Sequence, residues 1–412
     1  MRRVALATVI AAVSGYLVLL LAARALGADG YAAFAVFWAA YGLVTGTQNG
    51  QLQETTRAVR GAMIRDAVGT RPMPLNAVVG VGLALLVAVT SIGWAGAVFE
   101  WYRIESVLLL AAGVAAFGIY AGLGGVLSGL GRWGPFATLL IVDAVIRLVL
   151  TVIAVIAGWG LFAFLVMTIA GTVSSAVVVL CLRPARTALG ANGDVAASDL
   201  ARNTFTAMAA ALASAILVMG FPVLIKLSTS GDLDSVAGAV ILAVTLTRAP
   251  LLVPLNSFQG VLISRFVENR DRVLQSLTAP LLIVAGVGVV GALAAWLIGP
   301  WLLETIFGAD YRLSGSTIAL LTVGAVAMAV LTLTGAMALA IGAHRLYAAG
   351  WWVATTASIA LLFIPADLEV RVSIALIAGP MIGMAVHLWA ARPRSAEHVP
   401  GERGDNRPLP AE

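Results

Sequence analysis

About twelve apolar segments, each long enough to cross a lipid bilayer, follow one another through almost all of the 412 residues. A spanning helix needs about 20 mostly apolar residues. The sequence therefore predicts an all-α integral membrane protein whose function lies between its helices. The predicted spans are approximately 4–23, 31–53, 75–98, 106–128, 136–157, 160–182, 205–226, 236–263, 277–298, 315–341, 348–364 and 371–391.

Basic residues are distributed unevenly over the loops between these spans. If the N-terminus is cytoplasmic, eighteen of the 25 Lys and Arg residues lie on the cytoplasmic side and five on the external side, with Arg147 and Arg248 inside spans. Cytoplasmic loops of membrane proteins carry this excess of positive charge. The pattern predicts a multi-pass protein of the cytoplasmic (inner) membrane with both termini in the cytoplasm.

The spans repeat along the chain. Those of the second half begin about 200 to 212 residues after those of the first half. Six spans per half give both halves the same orientation, which predicts a parallel repeat with the substrate site between two lobes. The predicted division is an N-terminal six-helix lobe (1–182), a cytoplasmic inter-lobe linker (183–204), a C-terminal six-helix lobe (205–391) and a disordered cytoplasmic tail (392–412).

Residues suited to metal, redox or nucleotide chemistry are sparse. Cys181 is the single cysteine, and His344, His387 and His398 have no partner at metal-ligand spacing, so we interpret them as isolated histidines. Residues 122–132 resemble a phosphate-binding loop only in their glycines, because the Gly-Lys-Ser/Thr ending is absent. We predict no catalytic residue, no cofactor, no metal and no nucleic-acid partner.

Arg248 lies near the middle of the eighth predicted span, next to Pro250 and Pro254. A charge near the bilayer centre costs at least ~2.5–3.5 kcal/mol on insertion scales, so it indicates function. The planar guanidinium group matches phosphate with two parallel hydrogen bonds. Arg248 is therefore a candidate for binding an anionic head group, and a structural ion pair or a side chain reaching the interface is the alternative.

Asp143 and Arg147 lie four residues apart in the fifth predicted span. This spacing places them on one helix face, with the acid on the N-terminal side. The simpler interpretation is a salt bridge that lowers the cost of inserting both charges. The alternative places the pair on the cavity wall, where Arg147 binds phosphate and Asp143 takes up a coupling ion.

The last turns of the second predicted span are unusually polar. They read Gln-Asn-Gly-Gln-Leu-Gln-Glu-Thr-Thr-Arg from residue 48 to residue 57, and the eighth span has a partial counterpart in Asn256 and Gln259. These residues either line a wet cytoplasmic vestibule or have already left the hydrocarbon. The candidate cavity residues from this pattern are Gln48, Asn49, Arg57 and Gln259.

Several short stretches resemble the polysaccharide-export branch of the multidrug/oligosaccharidyl-lipid/polysaccharide (MOP) exporter superfamily, the branch of O-antigen (Wzx-like) flippases. The first is Ala-Arg-Ala-Leu-Gly-Ala-Asp-Gly-Tyr at residues 23–31, where Ala32 replaces the family's usual glycine. The others lie at residues 127–132, 234–250, 299–311 and 341–345. Their order and topological positions, over roughly residues 1 to 390, carry the resemblance.

The resemblance implies two six-helix lobes, alternating access and a central cavity. It also implies flipping of an undecaprenyl-diphosphate-linked oligosaccharide to the outer leaflet, with membrane lipids around it, a coupling H⁺ or Na⁺, and polysaccharide polymerase machinery as a partner. A sugar-diphosphate head cannot cross hydrocarbon unaided, which agrees with a polar cavity.

Three other functions remain open. A drug/cation antiporter of the same superfamily would need acidic groups in the bundle, and the predicted spans contain one acid against two bases. A membrane glycosyltransferase or polymerase would use the D-x-D motif of Asp232 and Asp234, but this motif lies in a short external loop. A non-transporting scaffold would leave the intramembrane charges unexplained.

Overall fold

The computed structural model describes residues 2–229, 234–268 and 272–390, and within these ranges the secondary structure is helical without strands. Short 3₁₀ turns occupy Gly171–Val173 and Ala309–Tyr311. The α-helices are α1 (Arg2–Arg65), α2 (Pro72–Val98), α3 (Arg103–Gly129), α4 (Trp133–Ile156), α5 (Leu161–Ala170), α6 (Ser174–Cys181), α7 (Arg183–Ala188), α8 (Ala197–Val218), α9 (Phe221–Ser228), α10 (Ser235–Glu268), α11 (Val273–Phe307), α12 (Gly315–Ala340), α13 (His344–Leu362) and α14 (Leu368–Ala390).

Ten helices in the described ranges are long and apolar enough to cross a membrane. One of them, α1, contains both the first and the second predicted spans, and α13 coincides with the eleventh predicted span without being counted among the ten. With α1 counted twice and α13 added, the described helices match the twelve predicted spans. The predicted all-helical membrane fold is confirmed.

The connection between the first two spans differs from the prediction. Residues 24–30 are not a loop, because α1 continues through them with a single non-helical residue, Gly27, at φ 68° and ψ 177°. Residues with a Cβ atom rarely adopt a positive φ, so glycine is required at this kink. The two segments of α1 are residues 2–26 and 28–65.

Two predicted spans are interrupted. The seventh is divided into α8 and α9 at Met219 and Gly220, and the sixth is divided into α5 and α6 by the 3₁₀ turn Gly171–Val173. Pro222, in the first turn of α9, lacks an N–H group and favours a helix start there. Interrupted helices at membrane depth leave backbone groups that need partners, and in transporters they mark binding sites.

The predicted inter-lobe linker, 183–204, is largely structured, because α7 fills its beginning and α8 already starts at Ala197. Three backbone hydrogen bonds fasten its middle to the loop after α1. Gly69 N donates to Gly193 O (2.8 Å), Thr70 N to Val195 O (2.9 Å) and Gly193 N to Thr70 O (2.9 Å). The predicted tail, 392–412, lies outside the described residues.

The helices form two lobes. In the N-terminal lobe α1 packs on α3 and α4, and α2 packs on α3; in the C-terminal lobe α12 packs on α10, α11 and α14, and α13 packs on α14. The helix α1 joins the lobes by contacts with α8 and α10, among them Gly46 against Ala215 and Ala28 against Gly238 in its second segment. The exact lobe boundaries stay a prediction.

A glycine seam on α1, formed by Gly42, Gly46 and Gly50, lies against α8. A Cβ atom added at Gly46 would lie 2.9 Å from the Cβ of Ala215, and one added at Gly50 would lie 2.4 Å from the backbone N of Met208. Small residues at four-residue spacing let two helix backbones approach closely. The seam therefore holds the two lobes together along α1 and α8.

The ends of the lobes predicted to be external also touch. Tyr311 donates its hydroxyl to Ala23 O (2.8 Å), the guanidinium of Arg24 donates to Ile306 O, and Lys226 of α9 forms a salt bridge with Glu100, just after α2. Burial raises the pKa of the Tyr311 phenol above its usual value. We call these three pairs the external contacts; they close the molecule on the predicted outer side.

Candidate functional site

Arg248 lies at the break between α8 and α9. Its Nη1 donates to Val218 O (3.2 Å) and, at the limit of hydrogen bonding, to Leu217 O (3.5 Å). The last carbonyl groups of a helix have no intrahelical partner, and a cation there also interacts favourably with the helix dipole. One edge of the guanidinium group therefore caps the C-terminus of α8.

The other edge of the same group is free. Arg248 is only 7% exposed, yet its Nε and Nη2 have no hydrogen-bond partner among the described residues. No carboxylate in the described ranges forms a salt bridge with it either. Nε and Nη2 point in parallel and form the edge that binds a phosphate or carboxylate with two hydrogen bonds.

The surroundings of Arg248 place it between the lobes. Its Cζ lies 5.2 Å from the ring centre of Phe221 on α9, a cation–π contact. The break that it caps lies against the second segment of α1 in the other lobe, because a Cβ atom added at Gly42 would lie 3.4 Å from the Cβ of Met219. The structure thus puts Arg248 where a cavity between the lobes would be lined.

Asp143 and Arg147 form a salt bridge on α4 through Oδ2 and Nη2. Asp143 is 8% exposed, and Arg147 lies over the ring of Trp38 with its Cζ 5.7 Å from the ring centre. The spacing argument predicted this pairing. Whether the pair has a role beyond structure stays a prediction.

Gly171, in the 3₁₀ turn between α5 and α6, makes room for this ion pair. A Cβ atom there would lie 2.2 Å from Oδ1 of Asp143 and 2.5 Å from Nε of Arg147. The 3₁₀ turn that interrupts the sixth predicted span therefore leaves space for the ion pair of the fifth.

Arg57 is engaged by two carboxylates. It donates to Glu54 through Nε (2.8 Å) and Nη2 (2.6 Å), and to Asp194 of the linker through Nη1 (3.0 Å) and Nη2 (3.2 Å). Arg65 forms a further salt bridge with Asp194. In this conformation Arg57 fastens the linker to α1, and its side chain is 45% exposed.

The polar end of the second predicted span faces two directions. Gln48 is fully buried inside the N-terminal lobe and donates to Val114 O (3.1 Å), whereas Asn49 is exposed. The side chain of Gln259 lies outside the described residues. The structure does not bring Gln48 and Arg248 into one site.

The D-x-D motif also has a structural explanation. Asp234 accepts a hydrogen bond from the backbone N of Ala237 (2.9 Å), which caps the start of α10. Capping of the first N–H groups of a helix by Asp is common. Asp232 lies outside the described residues.

His387, interpreted as isolated, is fully buried in α14. Its Nδ1 lies 3.1 Å from Oγ1 of Thr334, and its Nε2 lies 3.0 Å from the carbonyl oxygen of Tyr347. Both ring nitrogens are therefore satisfied within the C-terminal lobe.

Sequence reasoning missed the aromatic residues around the charges. Phe221 and Trp38 lie in apolar runs and carry no signal that separates them from ordinary membrane-facing residues. Gly171 could have been suspected, because it interrupts an otherwise continuous apolar span, but its role depends on the helix packed against it.

The fold is similar to that of solved membrane transporters. One is the inward-facing conformation of a multidrug resistance MATE family transporter of the MOP superfamily, at 15% identity, with a TM-score of 0.73 over 92% of this chain and 93% of that chain. The outward-facing conformation of such a transporter gives 0.60 at 19% identity over 94% and 93%. A MATE structure in the straight conformation gives 0.63 at 17% identity over 94% of both chains.

Fold and helix composition together define a multi-pass membrane protein with the two-lobed MATE-like fold. No protein-family model matches the chain. An uncharacterized protein of Mycobacterium bovis is 46% identical over 392 residues, which cover 94% of this chain and 91% of the relative. An uncharacterized protein of Mycobacterium tuberculosis gives the same figures, and a second one is 46% identical over 391 residues, covering 94% and 90%.

The chain belongs to the family of these mycobacterial proteins.

Proposed function

We propose that this protein flips a polyprenyl-diphosphate-linked oligosaccharide from the cytoplasmic to the outer leaflet of the cytoplasmic membrane. The observation that carries the proposal is the free Nε/Nη2 edge of Arg248, buried between the lobes without a carboxylate partner among the described residues. A buried cation with an unused bidentate edge fits a ligand that brings negative charge.

The charge balance supports an anionic substrate over a cationic one. In the described spans, Asp143 is already paired with Arg147, while Arg248 has no acidic partner. A cationic drug would bring a second positive charge towards Arg248 without a carboxylate to offset it. A diphosphate would instead supply the missing negative charge.

The mechanism we propose is alternating access of the two lobes. The sugar-diphosphate head enters from the cytoplasmic side and binds the free edge of Arg248, while the polyprenyl tail stays in the bilayer. Arg147 is the second phosphate ligand, because its Nε is buried without a partner among the described residues. Phosphate on Arg147 would weaken the salt bridge and leave Asp143 to take up the coupling ion, H⁺ or Na⁺.

After the external contacts open, the head is released into the outer leaflet. There polysaccharide polymerase machinery would use it. Asn49 and Arg57, exposed at the predicted cytoplasmic end of α1, would meet the head group at the entrance.

The test is leaflet-resolved measurement of lipid-linked saccharides in cells depleted of this protein. Accumulation of a polyprenyl-diphosphate oligosaccharide on the cytoplasmic face, reversed by re-expression, is the expected result. Mass spectrometry of that species then identifies the saccharide. Unchanged distribution of every lipid-linked saccharide would overturn the proposal.

A second candidate is a MATE-like drug/cation antiporter. The similarity to a multidrug resistance MATE transporter, with a TM-score of 0.73, favours it. Depletion would then raise sensitivity to cationic drugs and leave lipid-linked saccharides unchanged, so the same cells separate the two functions.

A further inference from the structure

A polar cavity of about 450 Å³ lies between the two lobes at the predicted outer end of the molecule. The N-terminal lobe lines it with Glu100, Trp101 and Arg103, and the C-terminal lobe lines it with Lys226 and Thr229. Sites for small molecules are commonly cavities of about 300–1,000 Å³ in which a few polar groups converge. The size and the lining of this cavity therefore fit a small polar ligand.

The charges that line the cavity are two cations and one carboxylate, which leave one net positive charge. Lys226 and Glu100 form a salt bridge with each other across the lobes. Arg103 is exposed and forms no salt bridge with any residue that the structure describes. The guanidinium group of Arg103 is therefore the cation that a ligand in the cavity can bind.

The guanidinium group of Arg103 lies flat on the last turns of α2. A Cβ atom added at Gly96 would lie 3.3 Å from Cζ of Arg103 and 3.4 Å from both Nη1 and Nη2. Such nearly equal distances to three atoms of a planar group place the face of the group against Gly96. A guanidinium group carries its N–H donors at its edges. The donors of Arg103 are therefore left for the cavity.

A third cation holds the rim of the cavity in the C-terminal lobe. Arg371 of α14 donates through Nη2 to Oγ1 of Thr229 (3.1 Å). Its Nη1 donates to the carbonyl oxygens of Ser228 and Leu362, at the ends of α9 and α13. The positive charge of Arg371 thus lies directly behind Thr229 and adds to that of the lining.

This concentration of cations is unusual for the outer side of a membrane protein. Five basic residues of the chain are predicted on that side, and three of them, Arg103, Lys226 and Arg371, surround this one cavity. External loops are depleted of Lys and Arg. The gathering of the few that remain around one cavity indicates a ligand with negative charge.

We propose that this cavity binds a phosphate or diphosphate group on the outer side of the membrane. Arg103 donates two parallel hydrogen bonds to the phosphate oxygens, and Lys226 and the hydroxyl group of Thr229 face them from the other lobe. The site is separate from that of Arg248. Phe221, which contacts Arg248, precedes Lys226 on α9 by five residues, which is ~7.5 Å along the helix axis.

This chemistry has two possible sources in a membrane. One is the transported lipid-linked saccharide, whose diphosphate would leave Arg248 at the start of α9 and reach Arg103 at its end before release. The other is the head group of a phospholipid in the outer leaflet. The assignment to the transported saccharide rests on the function proposed above, whereas the binding of phosphate does not.

The test is protection of a cysteine in the full-length protein, with Ala97→Cys in a Cys181→Ser background and neutral phosphatidylcholine nanodiscs. Ala97 lines the cavity and is exposed, so an uncharged, water-soluble maleimide can reach it. Inorganic pyrophosphate should slow the labelling severalfold and saturably, whereas sodium chloride at the same ionic strength should not. Labelling that pyrophosphate leaves unchanged, or that both salts slow equally, would overturn the proposal.

A variant pair identifies the ligand-binding cation. Arg103→Gln should raise the pyrophosphate concentration needed for protection about tenfold to a hundredfold, because hydrogen bonds to a charged group are lost. Arg312→Gln is the matched control, since it removes another external arginine, whose side chain is 75% exposed. The exposed position of Arg103 predicts an unchanged melting temperature for Arg103→Gln. Equal protection in the two variants would contradict the site.

Two lipid additions separate the sources. A polyprenyl diphosphate in the nanodisc should protect the cysteine, whereas the same mole fraction of phosphatidylglycerol should not. Protection by phosphatidylglycerol would make a phospholipid head group the ligand and contradict the assignment to the saccharide. If cells depleted of this protein keep an unchanged distribution of lipid-linked saccharides, the proposed function fails while protection by pyrophosphate still establishes the phosphate site.

Discussion

Arg248 uses the two edges of one guanidinium group for different purposes. Nη1 caps the broken seventh span, and the Nε/Nη2 edge faces the proposed ligand. Arg248→Lys keeps a cation that can reach Val218 O but removes the second edge. We expect near-normal abundance and an export rate reduced about tenfold to a hundredfold, since a hydrogen bond to a charged group contributes about 1.5–3 kcal/mol.

Arg248→Ala should lose both abundance and export, because the carbonyl groups at the end of α8 also lose their partner. Arg202→Lys is the matched control, since the Arg202 side chain is 75% exposed on α8. Thermal unfolding and leaflet-resolved export measured together separate the two roles. An Arg248→Lys variant that exports at the wild-type rate would remove the free edge from the site.

Gly171 is the residue on which the buried ion pair depends for space. Gly171→Ala should break the contact between Asp143 and Arg147, because the new Cβ overlaps both side chains. Breaking a buried pair costs about 3–5 kcal/mol. We expect a clear fall in the melting temperature of the purified protein.

Combining two substitutions tests whether the loss of stability comes from the ion pair. Asp143→Asn should also destabilise, but the double variant with Gly171→Ala should be little worse than either single one, because both remove the same interaction. Gly15→Ala is the control, since a Cβ at Gly15 meets no atom within 4 Å. Additive losses would show that Gly171 acts through something other than the pair.

At the scale of helices, the glycine seam predicts that α1 and α8 cannot tolerate even one methyl group. Gly50→Ala would place its Cβ 2.4 Å and 2.6 Å from backbone atoms of residues 208 and 207, which cannot move aside as a flexible side chain can. We expect loss of folded protein, measured by size-exclusion chromatography. Alanine is the better helix former by about 1 kcal/mol, so a stabilised Gly50→Ala would contradict the close packing.

The sequence predicts which segments span the membrane better than it predicts which face of each helix packs inward. Hydropathy located the spans because all residues within a span lie in the same apolar environment. The cost of inserting a charge into that environment identified Arg248 and Asp143 as candidates. The side to which Gln48 turns depends on α3, and the four-residue spacing of the seam does not name α8 as its partner. The break at Gly220 lies in a run whose hydropathy barely changes.

At the scale of the whole molecule, we predict that one of the external contacts, the salt bridge between Lys226 and Glu100, must break before the substrate is released. The Lys226 side chain is 6% exposed and that of Glu100 13%, so the salt bridge between them is shielded from water. Glu100→Gln should cost the closed form about 3 kcal/mol, which is more than a hundredfold in population. We expect a cysteine at Ala28, 3% exposed in the closed form, to become reactive to an impermeant maleimide.

The background for this measurement is Cys181→Ser. Exchanging the charges, with Glu100→Lys and Lys226→Glu together, should restore protection of the cysteine. The control is Arg312→Gln, whose exposed partner Glu304 lies in the same lobe. Equal protection in all variants would mean that this salt bridge does not hold the lobes closed.

The two-lobed organisation itself followed from the spacing of spans, because six helices in each half constrain both halves to one orientation. The predicted linker, 183–204, stays a prediction, and the pairing of its middle with residues 69–70 could not be predicted because those residues are distant in sequence. Burial also depends on this pairing, since the side chain of Asp194 is fully buried beneath Arg57 and Arg65.

Because the linker is hydrogen-bonded to the N-terminal half, the gene can be divided within it. Residues up to 188 are held by α7, and residues 193–195 are hydrogen-bonded to the N-terminal half, so the chain between them contributes little to keeping the halves together. A gene divided at residue 190 should therefore yield two polypeptides that find each other in the membrane. Co-purification of an untagged first half with a tagged second half would show that the covalent joint is dispensable.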